Sequence, residues 1–349
     1  MSPHPIIPHS RPWITPQDHQ AVIDVLSGGM IAQGQLTAEF ESRIAQFVGC
    51  RYAIAQGSGT ASLILALKAL GIGENDGVVL PTYVCRSVLE AVLSVIARPQ
   101  LCDVDEYGVI TPDTVSRAFD HSTKAIIAVH IFGNPCDVNA LRGFGVPVLE
   151  DACQSFGLIL AGTMAGAVGD LGLLSFHATK CLTSGEGGMV VTNDTGLAEA
   201  ARKIAQGSTP PAARIVAPIS DLQAALGLSQ LARYSQFAER RESLLHRYQQ
   251  SASDAGLWFG LNPQCNLPFR FNVRHSGDFE ELQGAMFRRG IAIRRGVDEL
   301  LHRLLGLNDD DFPIAVRLIN TTASFPFYPA LEEVEIEQVE EAIRNLSCL

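Results

Sequence analysis

Leu174-Ser175-Phe176-His177-Ala178-Thr179-Lys180 leaves an apolar run and leads into Ser184-Gly185-Glu186-Gly187-Gly188, after which Met189-Val190-Val191-Thr192 resumes a β-rich pattern. The segment predicts two buried strands joined by a glycine-rich turn that carries a lysine. A hydroxyl, Ser175, lies five residues before that lysine. Lysine ammonium groups are strongly hydrated and avoid such places unless they are partnered or chemically employed. Lys180 is therefore poorly explained as a surface charge, and the rest of the chain has to say what employs it.

Working outward, residues 50 to 193 alternate short apolar runs with helical periodicity, the signature of βαβ units and a mainly parallel sheet. Strands are expected at Tyr52–Gln56, Val78–Leu80, Gln100–Asp103, Ala125–His130, Val146–Glu150, Leu173–Phe176 and Met189–Thr192. Helices are expected at about 61–70, closed by Gly71, and at about 86–96; two amphipathic helices precede them at about 16–26 and 37–47. A Pro-rich loop at 207–218 separates this region from long helices near 220–231 and 236–251. Beyond about residue 255 short strands mix with amphipathic helices, ending in a charged helix at 331–345. The expected fold is α/β: a seven-stranded, mainly parallel sheet between helices, with a smaller C-terminal α+β domain. The expected division is an N-terminal arm at 1–15, a large domain at 16–235 and a small domain at 236–349.

At 349 residues, 47% hydrophobic, the chain can build two sizeable cores. Its formal charge of −11 and lack of a basic run argue against nucleic acid as a partner. The first fifteen residues have no apolar core, so they do not read as a signal peptide. The longest uncharged stretch, Ser155–Gly169, is broken by glycines and too short to span a bilayer. Eight cysteines without a CxxC pair, most in apolar segments, read as buried free thiols of a reducing cytoplasm rather than a disulfide framework. The expectation is a soluble, cytoplasmic protein without metal ligands in a recognisable array.

Gly57-Ser58-Gly59-Thr60-Ala61-Ser62 links a strand to a helix. Such a corner offers free N–H groups and the positive end of a helix dipole, which suits a phosphate. Taken alone, a plain capped strand–helix turn is the simpler explanation. Asp151 follows a strand at the carboxyl edge, where open α/β sheets bind ligands, and could otherwise cap a helix or ligate a metal. Gln154 could donate to a ligand oxygen or be a solvated loop amide. Ser175 could reach a phosphate or be a buried serine bonded to backbone. Tyr83 could cover a planar ligand or be a core aromatic. One cofactor uses all of these together: pyridoxal 5'-phosphate (PLP). It needs a desolvated lysine amine for a Schiff base, one carboxylate against its pyridine nitrogen and a phosphate cradle.

The chain order of corner, carboxylate and lysine resembles fold-type I PLP enzymes, and in particular the DegT/DnrJ/EryC1/StrS family of nucleotide-sugar aminotransferases. The resemblance is carried by Gly59-Thr60-Ala61-Ser62-Leu63, His130-Ile131-Phe132-Gly133 with Asp137, and Glu150-Asp151-Ala152-Cys153-Gln154. It continues in Ser175-Phe176-His177-Ala178-Thr179-Lys180, Gly185-Glu186-Gly187-Gly188, and Ser220-Asp221-Leu222-Gln223-Ala224-Ala225 with Gln230-Leu231. Ile31-Ala32-Gln33-Gly34 and Phe40-Glu41 also fit, so it covers about residues 10 to 250 and weakens beyond them.

This resemblance implies that Lys180 forms the Schiff base and shuttles protons, that Asp151 meets the pyridinium and that Gln154 sits by the phenolate oxygen. It implies that Gly59, Thr60, Ala61 and Ser175 hold the phosphate and that Tyr83 covers the ring. It further implies glutamate or glutamine as donor, a keto sugar as acceptor, and a homodimer with shared sites. Two departures stand out. Arg214-Ile215-Val216-Ala217-Pro218 replaces the family's Gly-Tyr-Asn-Tyr-Arg segment, and Arg294-Arg295-Gly296-Val297 replaces the usual pattern near the substrate. The arginine pair could serve a nucleotide diphosphate or a donor carboxylate, or be solvated surface charge. A PLP-fold dehydratase is disfavoured because that branch carries histidine at the lysine position. A weakly active binding scaffold rests on Val216 and its loop alone. A nicotinamide-binding Rossmann protein gives no role to Lys180.

Overall fold

The computed structural model describes residues 6–207 and 217–346. Its main sheet contains β1 (Tyr52–Gln56), β2 (Gly77–Pro81), β3 (Arg98–Cys102), β4 (Thr123–Val129) and β5 (Val148–Asp151). A two-stranded hairpin, β6 (Ile159–Leu160) with β7 (Thr163–Met164), precedes β8 (Leu171–Ser175) and β9 (Gly188–Thr192), which complete the main sheet. The spatial order is β1-β9-β8-β5-β4-β2-β3. All strands run parallel except β9, which is antiparallel to both β8 and β1. The carboxyl ends of β1, β5 and β8 therefore share one edge, and β9 starts there: Gln56 and Ser175 are both register partners of Gly188.

Both faces of this sheet are covered, which is why its strands read as continuous apolar runs. One face packs on the helices Gly59–Ala69, Arg86–Ser94 and Thr195–Ala205, the other on Gln35–Val48 and Asp221–Ala232. The helices Pro112–Ala118 and Thr195–Ala205 were not expected from the sequence. Each opens on a side-chain cap, Thr111 accepting from the Thr114 N–H and Asp194 from the Leu197 N–H. A second, antiparallel sheet orders β10 (Phe271–Arg274), β12 (Thr322–Phe325) and β11 (Arg294–Arg295), packed on the long helix Tyr234–Asp254 and on Glu333–Arg344. The N-terminal segment is tied to this region: Ile7 bridges Ile291, and Arg11 pairs with Glu335 at 2.6 Å. Among the described residues no helix is long and apolar enough to cross a membrane.

Candidate active site

The turn between β8 and β9 is built by its own hydrogen bonds. The Phe176 N–H donates to Gly187 O at 2.8 Å, and Phe176 O accepts from the Ser184 N–H at 2.9 Å and the Thr183 hydroxyl at 3.1 Å. Lys180 is half-buried in this turn, and its Nζ lies 5.1 Å from the centroid of the Phe269 ring. Among the described residues Nζ has no ion pair and no hydrogen bond. A lysine held by cation–π contact alone keeps its amine available.

The carboxyl edge brings Lys180 together with Asp151, Gln154, Ser175, Gly59 and Thr60 around one cavity of about 310 Å³. Asp151 is buried; Oδ1 accepts from the Cys153 N–H at 2.9 Å, and no helix follows for it to cap. Among the described residues no group of three or more ligating side chains could hold a metal. Gln154 is not a free loop amide: its Oε1 accepts from the Phe132 N–H at 2.9 Å, which leaves the amide nitrogen as the donor for the cavity. Phe132 presents that N–H from φ 57°, the left-handed region that a bulky residue enters at a cost on the order of 1–3 kcal/mol. Ser175 Oγ has no partner among the described residues. A Cβ at Gly59 would come within 3.1 Å of Ser175 Cβ, so corner and serine are in close approach.

Two of the expected residues stand apart from the cavity wall. Ala61 does not line the cavity; its N–H is spent on the Ser58 hydroxyl at 3.1 Å, the helix cap, leaving Gly59 and Thr60 to offer the unpaired first-turn N–H groups. Tyr83 does not line it either. After Pro81 the chain is pinned by Thr82, whose N–H donates to Cys102 O at 3.0 Å, and Tyr83 turns inward, edge-on to Phe132 at 6.2 Å. Burial pushes its hydroxyl up to about 12. Val84 and Cys85 take the place in the cavity wall, so Cys85 is exposed there, unlike the buried Cys50, Cys102, Cys136, Cys181 and Cys265. The arginine pair divides between two faces of β11: Arg295 lies 4.4 Å from the Phe279 centroid and pairs with Glu280 at 2.6 Å, whereas Arg294 has neither. Arg214 and Val216 lie outside the described residues. Residues missed by the sequence reading line a second cavity on the other side of Lys180, among them His9, Arg241 and Arg270.

These residues fit PLP on their own chemistry. A buried carboxylate with one oxygen free, a partnerless hydroxyl beside unpaired helix N–H groups, an amide donor and an uncommitted lysine amine surround a single cavity. Comparison with known proteins agrees. The model of the DegT/DnrJ/EryC1/StrS aminotransferase family matches residues 12–344. The chain belongs to that family. It is a PLP-dependent aminotransferase of fold type I. It is 31% identical to the spore coat polysaccharide biosynthesis protein SpsC of Bacillus subtilis (strain 168) over 97% of both chains. Among solved structures it is similar to the aminotransferase TlmJ from Streptoalloteichus hindustanus, 28% identical, with TM-score 0.91 over 97% of this chain and 98% of that one. It is also similar to DesI, solved in the presence of its TDP-sugar product, 26% identical, with TM-score 0.90 over 98% and 93% of the two chains.

Proposed function

We propose that this aminotransferase moves an amino group from glutamate or glutamine to a keto sugar carried on a nucleotide. The observation that carries the reading is the convergence of Asp151, Gln154, Ser175 and Lys180 on one cavity. The sugar is supported by the relatives, SpsC by its polysaccharide pathway and DesI by its TDP-sugar product. PLP, when bound, supplies the electron sink that makes a carbon–hydrogen bond beside nitrogen acidic. Asp151 keeps the ring nitrogen protonated, Gln154 donates to the phenolate oxygen, and Gly59, Thr60 and Ser175 hold the phosphate. Lys180 holds the cofactor between turnovers and, once freed, carries a proton from the donor carbon and returns one to the acceptor carbon. The protein works as a cytoplasmic homodimer. Its seven described cysteines are all unpaired, and Ile23, Leu26, Met30 and Ile31 leave an apolar surface for a second copy.

Purified protein loaded with PLP tests this by its visible absorption before and after glutamate, beside Lys180→Ala. A cofactor band that depends on Lys180 and is bleached by glutamate is the expected result. A band that no amino donor moves would favour a non-transaminating PLP protein, and no band at all would overturn the assignment.

A further inference from the structure

Lys180 stands between two cavities and lines both. One is the cofactor cavity; the other is a space of about 30 Å³, room for a water or two and for no substrate. Phe269 belongs to the wall of the smaller cavity and not to that of the larger. Resting 5.1 Å from the Phe269 centroid, the amine therefore lies toward the smaller one.

The backbone holds this ring in place. The Phe269 N–H donates to Phe132 O at 2.8 Å, and Phe269 O accepts from Arg241 Nη1 at 3.2 Å. A Cβ at Gly133 would come within 3.0 Å of both Leu267 O and Pro268 Cα, so residues 267–269 lie tight on the loop after β4. The same loop meets the cofactor cavity, since its Phe132 N–H donates to Gln154. Phe269 is itself buried. An aromatic face attracts an ammonium and offers little to a neutral amine. Arg270 lies 5.4 Å from the same centroid, but it is tied to Gly296 O at 3.1 Å and grouped with Arg294 and His9.

We propose that the Phe269 ring is the resting place of the protonated Lys180 amine, which makes Phe269 a positioning residue for proton transfer. The inference rests on the aminotransferase reading above and adds to it where the lysine keeps its charge. In each half-reaction the neutral Nζ lone pair takes a proton from one carbon, whose bonding electrons pass to the bound cofactor. The same proton then leaves Nζ for a second carbon, and the amine is neutral again. Between the two transfers Nζ carries the charge, and the ring stabilises it. A carboxylate in that place would hold the proton too firmly to give it back. An aromatic face shifts the balance by only about two- to thirtyfold, which favours uptake without preventing return.

The test replaces Phe269 by trifluorophenylalanine, which keeps the ring's shape but depletes the negative charge of its face, and separately by Leu and by Tyr. In the unloaded protein, acetylation of Lys180 at neutral pH is followed by peptide mass spectrometry. It should run about threefold or more faster with the fluorinated ring and in Phe269→Leu, and at the parent's rate in Phe269→Tyr. In the PLP-loaded protein, bleaching of the cofactor band by glutamate should slow about threefold or more in the same two variants. Deuterium on the donor's α-carbon should slow it further there than in the parent, while the KM for glutamate stays put. Labelling or bleaching that is the same with the native and the fluorinated ring overturns the proposal. A defect confined to Phe269→Leu overturns it too, because it marks lost packing alone. Should the parent take up no PLP, the functional reading fails by itself, and the labelling of the unloaded protein still decides the resting place.

Discussion

His130 Nε2 lies 2.9 Å from Glu150 Oε1, and neither side chain reaches solvent. The His130 Nδ1 accepts from the Cys136 N–H at 2.9 Å, so Nε2 carries the proton it donates. Glu150 Oε2 accepts from the Val168 and Gly169 N–H groups, both at 2.8 Å. Burial alone would raise this carboxyl; His130 and the loop amides, Gly169 among them, outweigh it and hold it below the usual carboxylate range. The pair thus clamps the end of β4, the end of β5 and the loop before β8, one residue from Asp151. Glu150→Ala leaves a buried imidazole and two buried amides without partners. It should cost about 3–5 kcal/mol in urea denaturation, and Glu150→Gln clearly less.

Gly59→Ala probes the phosphate corner. The added methyl would meet Ser175 Cβ at 3.1 Å and its Oγ at 3.3 Å, so either the serine or the helix start must shift. PLP affinity should fall about tenfold, with a smaller change in kcat at saturating cofactor, as measured by fluorescence titration and steady-state kinetics.

Cys85 offers a reporter of cofactor occupancy. It is exposed and lines the cavity, and its thiol is raised by burial and by Asp151, with Lys180 opposing. Alkylation followed by peptide mass spectrometry should modify Cys85 in the unloaded protein, and PLP should slow that modification at least about tenfold. Equal labelling with and without PLP would place the cofactor elsewhere.

His9 makes stability acid-sensitive. Its folded value lies near 3, below the ordinary 6.5, so between these limits the unfolded chain binds the extra proton. Stability therefore rises with pH across that window and the contribution levels off above it. His9→Asn should flatten the pH dependence of the urea midpoint between about pH 4 and 6.5 while leaving it unchanged at pH 8.

The meeting of Asp151, Ser175 and Lys180 was legible because it is local in sequence. Asp151 and Ser175 end β5 and β8, Lys180 lies in the turn after β8, and the strand pattern alone puts those ends on one edge. The direction of Tyr83 was not legible because it depends on how the chain leaves β2. That path is set by Thr82, which meets Cys102 O and His302 Nδ1, the latter at 2.7 Å and 220 residues away. The Ala61 N–H is taken by the Ser58 hydroxyl, a competition that the Gly59-Thr60-Ala61 motif alone does not display. The partnership of His9, Arg270 and Arg294 has no trace in sequence spacing at all, since three distant segments meet only through the second sheet. The helices at 112–118 and 195–205 carry readable start signals, Thr111-Pro112 and Asp194.

The single reversed strand also dictates the order in which the site can be assembled. β8, its turn and β9 form a local hairpin, so the Lys180 loop closes over a short span of chain. β1, made long before, has no neighbour in the sheet except β9 among the described residues. Its corner at Gly59 cannot reach Ser175 until residues 188–192 have been synthesised and paired. Closing that long loop is entropically slow. The cofactor cradle is thus a late product of folding, and a nascent chain released before β9 would carry Asp151 and Gly59 without any place to bring them together.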